Sequence, residues 1–194
     1  MTKTTAKSQV IATATPIKTF TSHKPQIVLP ELIKVHPRDR KRYRALIDQA
    51  KEASARAYCP YSKFNVGAAA LTFDGLVYTG CNVENCGYTQ TKHAEEVAVT
   101  GAVNDGLLVR AKAAGLTQFQ ALLAVAVFAP KGSDPWPCCN CRQFLGDFGY
   151  DMHIIGYDNQ ITDQGAHDEI LCLTLGQLVP HPFPIEEVLA SVNG

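Results

Sequence analysis

Lys92-His93-Ala94-Glu95-Glu96 and Pro137-Cys138-Cys139-Asn140-Cys141 are the two segments around which this sequence is organised. Together they offer one imidazole and a Cys-x-x-Cys pair of thiols, a donor set that suits zinc. We interpret His93, Cys138 and Cys141 as three ligands of one zinc ion. Three protein ligands leave a fourth position open for water, and this is the arrangement of catalytic rather than structural zinc sites.

The spacing within the two segments favours a site shared between the starts of two helices. Cys138 and Cys141 are three residues apart, which places both sulfurs on one face of a helical turn. A helix N-terminus also favours the thiolate that a metal requires. Glu95 lies two positions after His93 and points to a different side of its helix. We therefore expect His93 to face the metal and Glu95 to act as the catalytic acid and base.

A structural zinc site is the alternative interpretation of the same residues. A Cys-x-x-Cys pair is often half of a closed four-ligand site, whose further ligand here would be Cys139, Cys86 or Cys172. The Glu that follows two residues after the His, and the Pro before the first Cys, favour the catalytic interpretation.

Composition and charge limit the classes of partner. The chain has 194 residues, of which 46% are hydrophobic, and this predicts one globular domain with room for an extension. Basic and acidic side chains number 18 each, so the net charge gives no argument for a nucleic-acid polymer as partner. The longest apolar run, residues 121–129, is too short to cross a membrane, and we expect no membrane partner.

Cysteine usage and the N-terminal segment bear on location and domain organisation. Seven cysteines without a signal-peptide pattern indicate a reducing compartment, and we expect a cytoplasmic protein. Residues 1–36 are predicted to be a flexible or loosely docked extension, and residues 37–194 to be the zinc-binding domain. Organellar targeting by the extension is the weaker alternative, because arginine is absent until Arg38.

Hydrophobic periodicity predicts helices and strands that alternate along the chain. Helices are predicted over 37–57, 93–104, 138–148 and 184–192. Strands are predicted over 66–72, 76–80, 121–128, 153–157 and 170–173, with Asp74-Gly75 as a hairpin turn. This alternation predicts an α/β fold of three layers, with a central mixed sheet of about five strands between helices.

The sequence resembles the cytidine deaminase family over residues 37–190. His-x-Glu followed by Pro-Cys-x-x-Cys is the known signature of zinc-dependent deaminases. Four further segments are similar to that family: Tyr-Cys-Pro-Tyr-Ser-Lys-Phe-Asn-Val-Gly at 58–67, Gly-Cys-Asn-Val-Glu-Asn at 80–85, Cys141-Arg142-Gln143, and Leu178-Val179-Pro180 with Phe183.

The resemblance implies hydrolytic deamination of cytidine and 2′-deoxycytidine, with one zinc ion per chain and Glu95 as proton shuttle. Asn82 and Glu84 would hold the ribose hydroxyls, and Phe64 would flank the base. The amide of Ala94 would contact the pyrimidine carbonyl. The full set of substrate-binding residues that it implies is Phe64, Asn82, Glu84, Ala94, Cys86, Tyr88 and Phe183.

Two further roles follow from the same resemblance. Arg142 would donate a hydrogen bond to a zinc-bound thiolate from outside the ligand set. Phe183 would reach the site of a neighbouring subunit, which predicts a homo-oligomer. A tetramer is favoured over a dimer, although His93 is similar to the ligand of longer, dimeric members, where shorter members carry Cys.

Other functions remain open at this point. Cys86 and Cys139 stand where the family usually has smaller residues, which allows deamination of a modified cytosine nucleoside, as in the related blasticidin S deaminases. A non-catalytic zinc-binding protein on the same fold is a second alternative. A polynucleotide deaminase is disfavoured by the neutral charge and by the sugar-reading pair Asn82 and Glu84.

Overall fold

A computed structural model of the chain describes residues 30–130, 136–157 and 170–193, with only the backbone described for Tyr157, Val192 and Asn193. Most of the predicted N-terminal extension lies outside these ranges. So do residues 158–168 and most of residues 131–137, both of which the sequence predicts to be loops between regular elements.

The described chain alternates between helices and strands. The helices are α1 (Pro37–Ser54), α2 (Ala94–Asn104), α3 (Leu107–Ala113), α4 (Cys139–Gly146), α5 (Leu175–Leu178) and α6 (Ile185–Asn193), with one 3₁₀ turn at Gln118–Gln120. The strands are β1 (Gly67–Thr72), β2 (Val77–Cys81), β3 (Leu122–Phe128), β4 (His153–Tyr157) and β5 (Ile170–Thr174).

The five strands form one mixed sheet in the order β2-β1-β3-β4-β5. Strand β1 pairs antiparallel with both β2 and β3, β3 runs parallel to β4, and β4 pairs antiparallel with β5. A parallel pair requires a crossover, and the segment containing α4 provides it between β3 and β4. The predicted mixed sheet of about five strands is confirmed.

Both faces of the sheet are covered, which makes the central strands apolar throughout. All six residues of β1 are buried, and successive side chains serve opposite faces. Ala69 and Leu71 pack in one core cluster with residues of α1, whereas Ala68 and Ala70 pack in the other cluster with residues of α2 and α3. The predicted three-layer α/β/α architecture is therefore confirmed.

The predicted elements all exist, with ends shifted by a few residues. Two helices were not predicted. Helix α3 begins directly after Gly106, whose positive φ of 83° ends α2 and turns the chain. A glycine just past the predicted helix 93–104 is typical of a helix end, but no pattern indicates that the short apolar segment after it is helical. Helix α5 is a single turn capped by Thr174, whose side chain accepts a hydrogen bond from the Gln177 amide.

The residues just before α1 lie along the edge strand β5. The backbone N–H of Ile33 donates to the Cys172 carbonyl at 2.8 Å, and the Gln177 side chain donates to the Glu31 carbonyl at 3.1 Å. Ile33 and Val35 are partly buried against the α1 side of the core. Among the described residues, no helix is both long and apolar enough to cross a membrane.

Strand β2 approaches α2 so closely that only glycine fits at the contact. A Cβ at Gly80 would lie 2.3 Å from the Ala94 carbonyl oxygen and 2.5 Å from the Ala98 amide nitrogen. Real Cβ atoms do not approach backbone atoms that closely, so any side chain here would push α2 away from the sheet. Because α2 begins directly after His93, Gly80 helps to set the position of that imidazole.

Replacing Gly80 by Ala should destabilise the fold. We expect the free energy of unfolding to fall by at least about 1 to 3 kcal/mol, the usual cost of overpacking, because the clashing atoms are backbone. Gly101→Ala is the matched control: Gly101 lies on α2, and its added Cβ would have nothing within 4 Å. That control should gain about 0.5 to 1 kcal/mol of helix propensity. Urea unfolding of both variants measures the difference, and equal stabilities would contradict the close contact.

Candidate metal centre and adjoining cavity

The three predicted zinc ligands converge at the N-termini of α2 and α4. His93 is the N-cap of α2, Cys138 is the N-cap of α4, and Cys141 lies in the first turn of α4. The Nδ1 atom of His93 lies 3.3 Å from Cys138 Sγ and 3.2 Å from Cys141 Sγ. All three ligand atoms lie within 4.8 Å of one another.

These separations fit a tetrahedral zinc ion. With Zn–S bonds of about 2.3 Å and Zn–N bonds of about 2.0 Å, a sulfur and a nitrogen ligand are about 3.5 Å apart. The observed Sγ to Nδ1 distances of 3.2 and 3.3 Å are close to that value. Among the described residues, His93, Cys138 and Cys141 are the group of His, Cys, Asp or Glu side chains that lie close enough together to hold a metal ion. The group contains no fourth protein ligand.

Glu95 lies in a buried position beside the ligands. Only 4% of its surface is exposed, and it lines the same cavity as His93 and Cys138. Burial raises the pKa of its carboxyl, although hydrogen bonds from its own backbone N–H and from the Cys141 thiol oppose the shift. A carboxyl whose pKa is moved toward neutrality is suited to both accept and donate a proton.

Cys141 shares this buried environment. The thiol is fully buried, and burial together with the nearby Glu95 and Cys138 raises its pKa. Since zinc coordinates the thiolate, metal binding must displace that proton. Cys138, in contrast, is exposed and lines the cavity. The ligand set is thus solvated on one side and dry on the other.

A cavity of about 220 Å³ opens beside the ligands. Three of the predicted substrate-binding residues, Phe64, Asn82 and Ala94, line it together with His93 and Glu95. Ala94 is the first residue of α2, so the helix itself leaves its backbone N–H without an internal acceptor. That amide is a suitable donor for a carbonyl oxygen.

Asn82 is held in place by both ends of its side-chain amide. Its Oδ1 accepts a hydrogen bond from the Val66 amide at 2.8 Å, and its Nδ2 donates to the Phe64 carbonyl at 2.8 Å. These contacts tie the segment before β1 to the end of β2. A side-chain amide has four hydrogen-bonding positions, so these two bonds do not use its full capacity.

Glu84 lies in an adjoining depression rather than in the cavity itself. Its carboxylate accepts from the backbone N–H of Tyr61 at 2.8 Å and of Ser62 at 3.2 Å. The hydrogen bond from Ser62 and those from the backbone lower its pKa, so that the charged form is favoured. Thr91 lines both this depression of about 230 Å³ and the cavity at the ligands, so the two adjoin.

The remaining predicted substrate residues do not line the cavity beside the zinc ligands. Tyr88 lines the depression, is 75% exposed, and has its ring centroid 6.3 Å from that of Tyr61. Cys86 is exposed, with its sulfur 3.9 Å from the Asn85 side-chain oxygen. Phe183 is 58% exposed and lines a different cavity, next to α6.

The resemblance implies that Arg142 donates a hydrogen bond to a zinc-bound thiolate, but the structure describes other acceptors for its guanidinium. The hydrogen bonds that the structure describes for its guanidinium go to two backbone carbonyls. The Nε atom donates to Pro137 at 2.7 Å, and Nη1 donates to Leu178 at 3.2 Å. Arg142 therefore joins the segment before α4 to the C-terminal end of α5.

Comparison with known proteins identifies the family. Residues 40–157 match the family model described as the cytidine and deoxycytidylate deaminase zinc-binding region. Cytidine deaminase from Mycobacterium tuberculosis is 38% identical over 139 residues, which is 72% of this chain and 87% of that protein. The chain belongs to the cytidine and deoxycytidylate deaminase family.

Two further relatives support the assignment of the chain to this family. Cytidine deaminase from Sporosarcina psychrophila is 42% identical over 103 residues, covering 53% of this chain and 67% of that protein. The crystal structure of cytidine deaminase from Burkholderia pseudomallei superposes with a TM-score of 0.58 and 34% identity, covering 72% of this chain and 98% of that one. The predicted family, fold and zinc cofactor are confirmed.

Sequence reasoning missed several residues that line the deaminase cavity. They are Val66, Thr91, Val127 and Ala129, and they line it together with Trp136, the residue that precedes the Pro-Cys-x-x-Cys segment. Val127 and Ala129 lie at the carboxyl end of β3, from which the chain leads to α4. Ligand sites in α/β sheets form at the carboxyl ends of strands, so the end of this predicted strand was a usable signal.

Zinc binding by this deaminase should depend on Cys138 but not on the neighbouring Cys139. Cys138→Ser removes a thiolate ligand, and we expect loss of zinc together with a lower melting temperature, because metal binding is coupled to folding. Metal analysis and thermal unfolding of the purified protein measure both effects.

Cys139→Ser is the matched control for this change. Cys139 is exposed on the first turn of α4 and lies outside the ligand group. It should keep one zinc per chain and an unchanged melting temperature. Full occupancy in the Cys138 variant would indicate a different set of ligands.

Proposed function

We propose that this chain catalyses the hydrolytic deamination of cytidine and 2′-deoxycytidine to uridine and 2′-deoxyuridine, with release of ammonia. The observation that carries the proposal is the convergence of His93, Cys138 and Cys141 near the buried carboxyl of Glu95. Of these residues, His93, Glu95 and Cys138 line one cavity. Relatives named cytidine deaminase support the choice of substrate.

The proposed binding mode follows from the order of residues along the cavity. The base would occupy the space beside the ligands, with the Phe64 ring against it and the Ala94 amide donating to the pyrimidine carbonyl. The sugar would extend past Thr91, where Asn82 and the ionised Glu84 would hold its hydroxyls. A site built to bond these hydroxyls would discriminate against ligands that lack them.

Glu95 would carry the protons of the reaction. A zinc ion held by the three ligands would supply a Lewis acid that makes water nucleophilic near neutral pH. The Glu95 carboxylate would accept the proton that water gives up as it adds to the amino-bearing carbon. It would pass this proton to the adjacent ring nitrogen, and would then take up the remaining proton of the added hydroxyl and deliver it to the departing amine, so that ammonia leaves and the carbonyl forms.

Deamination should require Glu95. Glu95→Ala should lower the rate of ammonia release by at least about 10² to 10⁴, the usual contribution of one acid–base group. Zinc content should stay near one ion per chain, because this carboxylate is not a metal ligand. The measurement is the ultraviolet change on incubation with cytidine, deoxycytidine and blasticidin S, run beside a metal analysis.

Glu52→Gln supplies the control. Glu52 is an exposed carboxylate on α1, and α1 packs against the face of the sheet opposite to the face that α2 covers. It should retain full activity. Turnover by the Glu95 variant at the wild-type rate would remove Glu95 from the mechanism. Turnover of blasticidin S without turnover of cytidine would contradict the proposed substrate.

We also propose that the protein is a cytoplasmic homo-oligomer, with a tetramer favoured over a dimer, in which residues 37–194 form the deaminase domain and residues 1–36 an extension. Phe183 supports an oligomer because it is exposed and lines a cavity other than the one beside its own zinc ligands. It would complete the nucleoside site of a neighbouring subunit.

Mixed oligomers should reveal whether Phe183 acts in a neighbouring site. Phe183→Ala and Glu95→Ala chains, each weakly active alone, should regain activity when co-expressed. Some sites would then combine an intact Glu95 from one chain with an intact Phe183 from the other. The test compares the activity of purified hybrids with the mean of the two parents. Activity no higher than that mean would place the action of Phe183 within its own chain or remove it from the site.

A further inference from the structure

A single carboxylate connects the two helix ends that carry the zinc ligands. Glu96 Oε2 accepts a hydrogen bond from the backbone N–H of His93 at 3.1 Å. Its other oxygen, Oε1, accepts from the Asn140 side-chain amide at 2.7 Å. Glu96 lies in the first turn of α2 and Asn140 in the first turn of α4. The side chain therefore bridges the two helices directly beside the ligands.

The two hydrogen bonds are placed where they affect the geometry of the ligands. One fixes the backbone of the ligand His93. The other reaches Asn140, the residue immediately before the ligand Cys141. Neither bond uses an atom that would contact the metal or the substrate. Any change in the separation of Glu96 and Asn140 moves His93 relative to both cysteines, and metal–ligand distances tolerate errors of only about 0.2 Å.

We propose that Glu96 and Asn140 are positioning residues, a clamp that holds the two halves of the zinc site in register. The clamp rests on the zinc site of the proposed function but not on which nucleoside is the substrate. Glu96 alone would be an ordinary helix cap, since its bond to His93 lies within one helix end. The bond to Asn140 makes it a connection between helices, and this bond can be removed without disturbing the cap.

The size of the expected effect follows from the exposure of the pair. Residues that orient metal ligands from outside typically change metal affinity by about 10- to 100-fold when they are replaced. Asn140 is exposed and Glu96 is half-buried, so water can replace part of a lost bond. We therefore expect the low end of that range, about tenfold, for Asn140→Ala.

The test is the zinc dissociation constant of the full chain, measured by competition with a chelating dye. Asn140→Ala should weaken zinc binding about tenfold. Asn140→Asp should weaken it as well, because two carboxylates would then face each other. Adding Glu96→Gln to Asn140→Asp should restore binding, since the Gln amide can donate to Asp while its oxygen still accepts from His93. This double variant has the same net charge as the wild type.

Gln143→Ala is the control, because it removes an exposed amide from the same helix. It should bind zinc as the wild type does. The Co²⁺-substituted proteins provide a second measurement: the visible bands, which report the ligand geometry, should change in Asn140→Asp and return in the double variant. If Asn140→Asp merely destabilised the fold, the second substitution would not restore the wild-type visible bands.

Two results would overturn the clamp. Wild-type zinc affinity in both Asn140 variants would show that the bond between the helices does not position the ligands. Failure of Glu96→Gln to rescue Asn140→Asp would show that the partnership of the two side chains is not the cause. These results differ from the result expected if the proposed function is wrong. In that case the wild-type chain would bind zinc with the clamp intact but would leave cytidine unchanged.

Discussion

The N-termini of α2 and α4 meet at one point, and the chemistry of the molecule depends on that meeting. The sheet determines it from two sides. Strand β2 holds α2 through a contact that excludes any side chain at Gly80, and the carboxyl end of β3 leads to α4. Helix starts leave backbone N–H groups without acceptors and favour negative charge nearby. Thiolates and a carboxylate are the groups that gain most from this location.

Burial at the zinc site disfavours the charged forms of Glu95 and Cys141 in the absence of a cation, and it strengthens their attraction to a cation when one is bound. In the chain alone, burial raises the pKa of both Glu95 and Cys141, because a charged carboxylate or thiolate is poorly solvated there. A divalent cation reverses the preference, since it is the largest local charge in such a site. The same dry environment then strengthens its attraction for the thiolates. The exposed Cys138 leaves one side of the ligand group open to the cavity, where a reacting molecule can enter.

The parts of the site that the sequence could predict are those encoded within a few consecutive residues. His93, Glu95, Cys138 and Cys141 lie in two short motifs whose spacing already specifies a helical turn, and the structure brings all four together. Helix α3 was missed because Gly106 indicates the end of one helix, and no local signal shows that a second begins at once. The bonds of Arg142 to Pro137 and Leu178, and of Glu84 to Tyr61 and Ser62, join distant segments. Such pairings depend on how the elements pack, which no local pattern contains.

The polar groups of the proposed nucleoside site are already engaged before any ligand arrives. Asn82 uses both ends of its amide to hold the segment from Phe64 to Val66, and Glu84 uses its carboxylate to hold Tyr61 and Ser62. The side chains that would read the sugar are therefore the same ones that shape the wall on which the base would lie. Binding to such a site loses little conformational entropy, because the contacting groups need not be ordered anew. It would also make the site selective: a ligand without the matching hydroxyls could not draw Asn82 or Glu84 to another position without breaking the hydrogen bonds that hold the segment from Tyr61 to Val66.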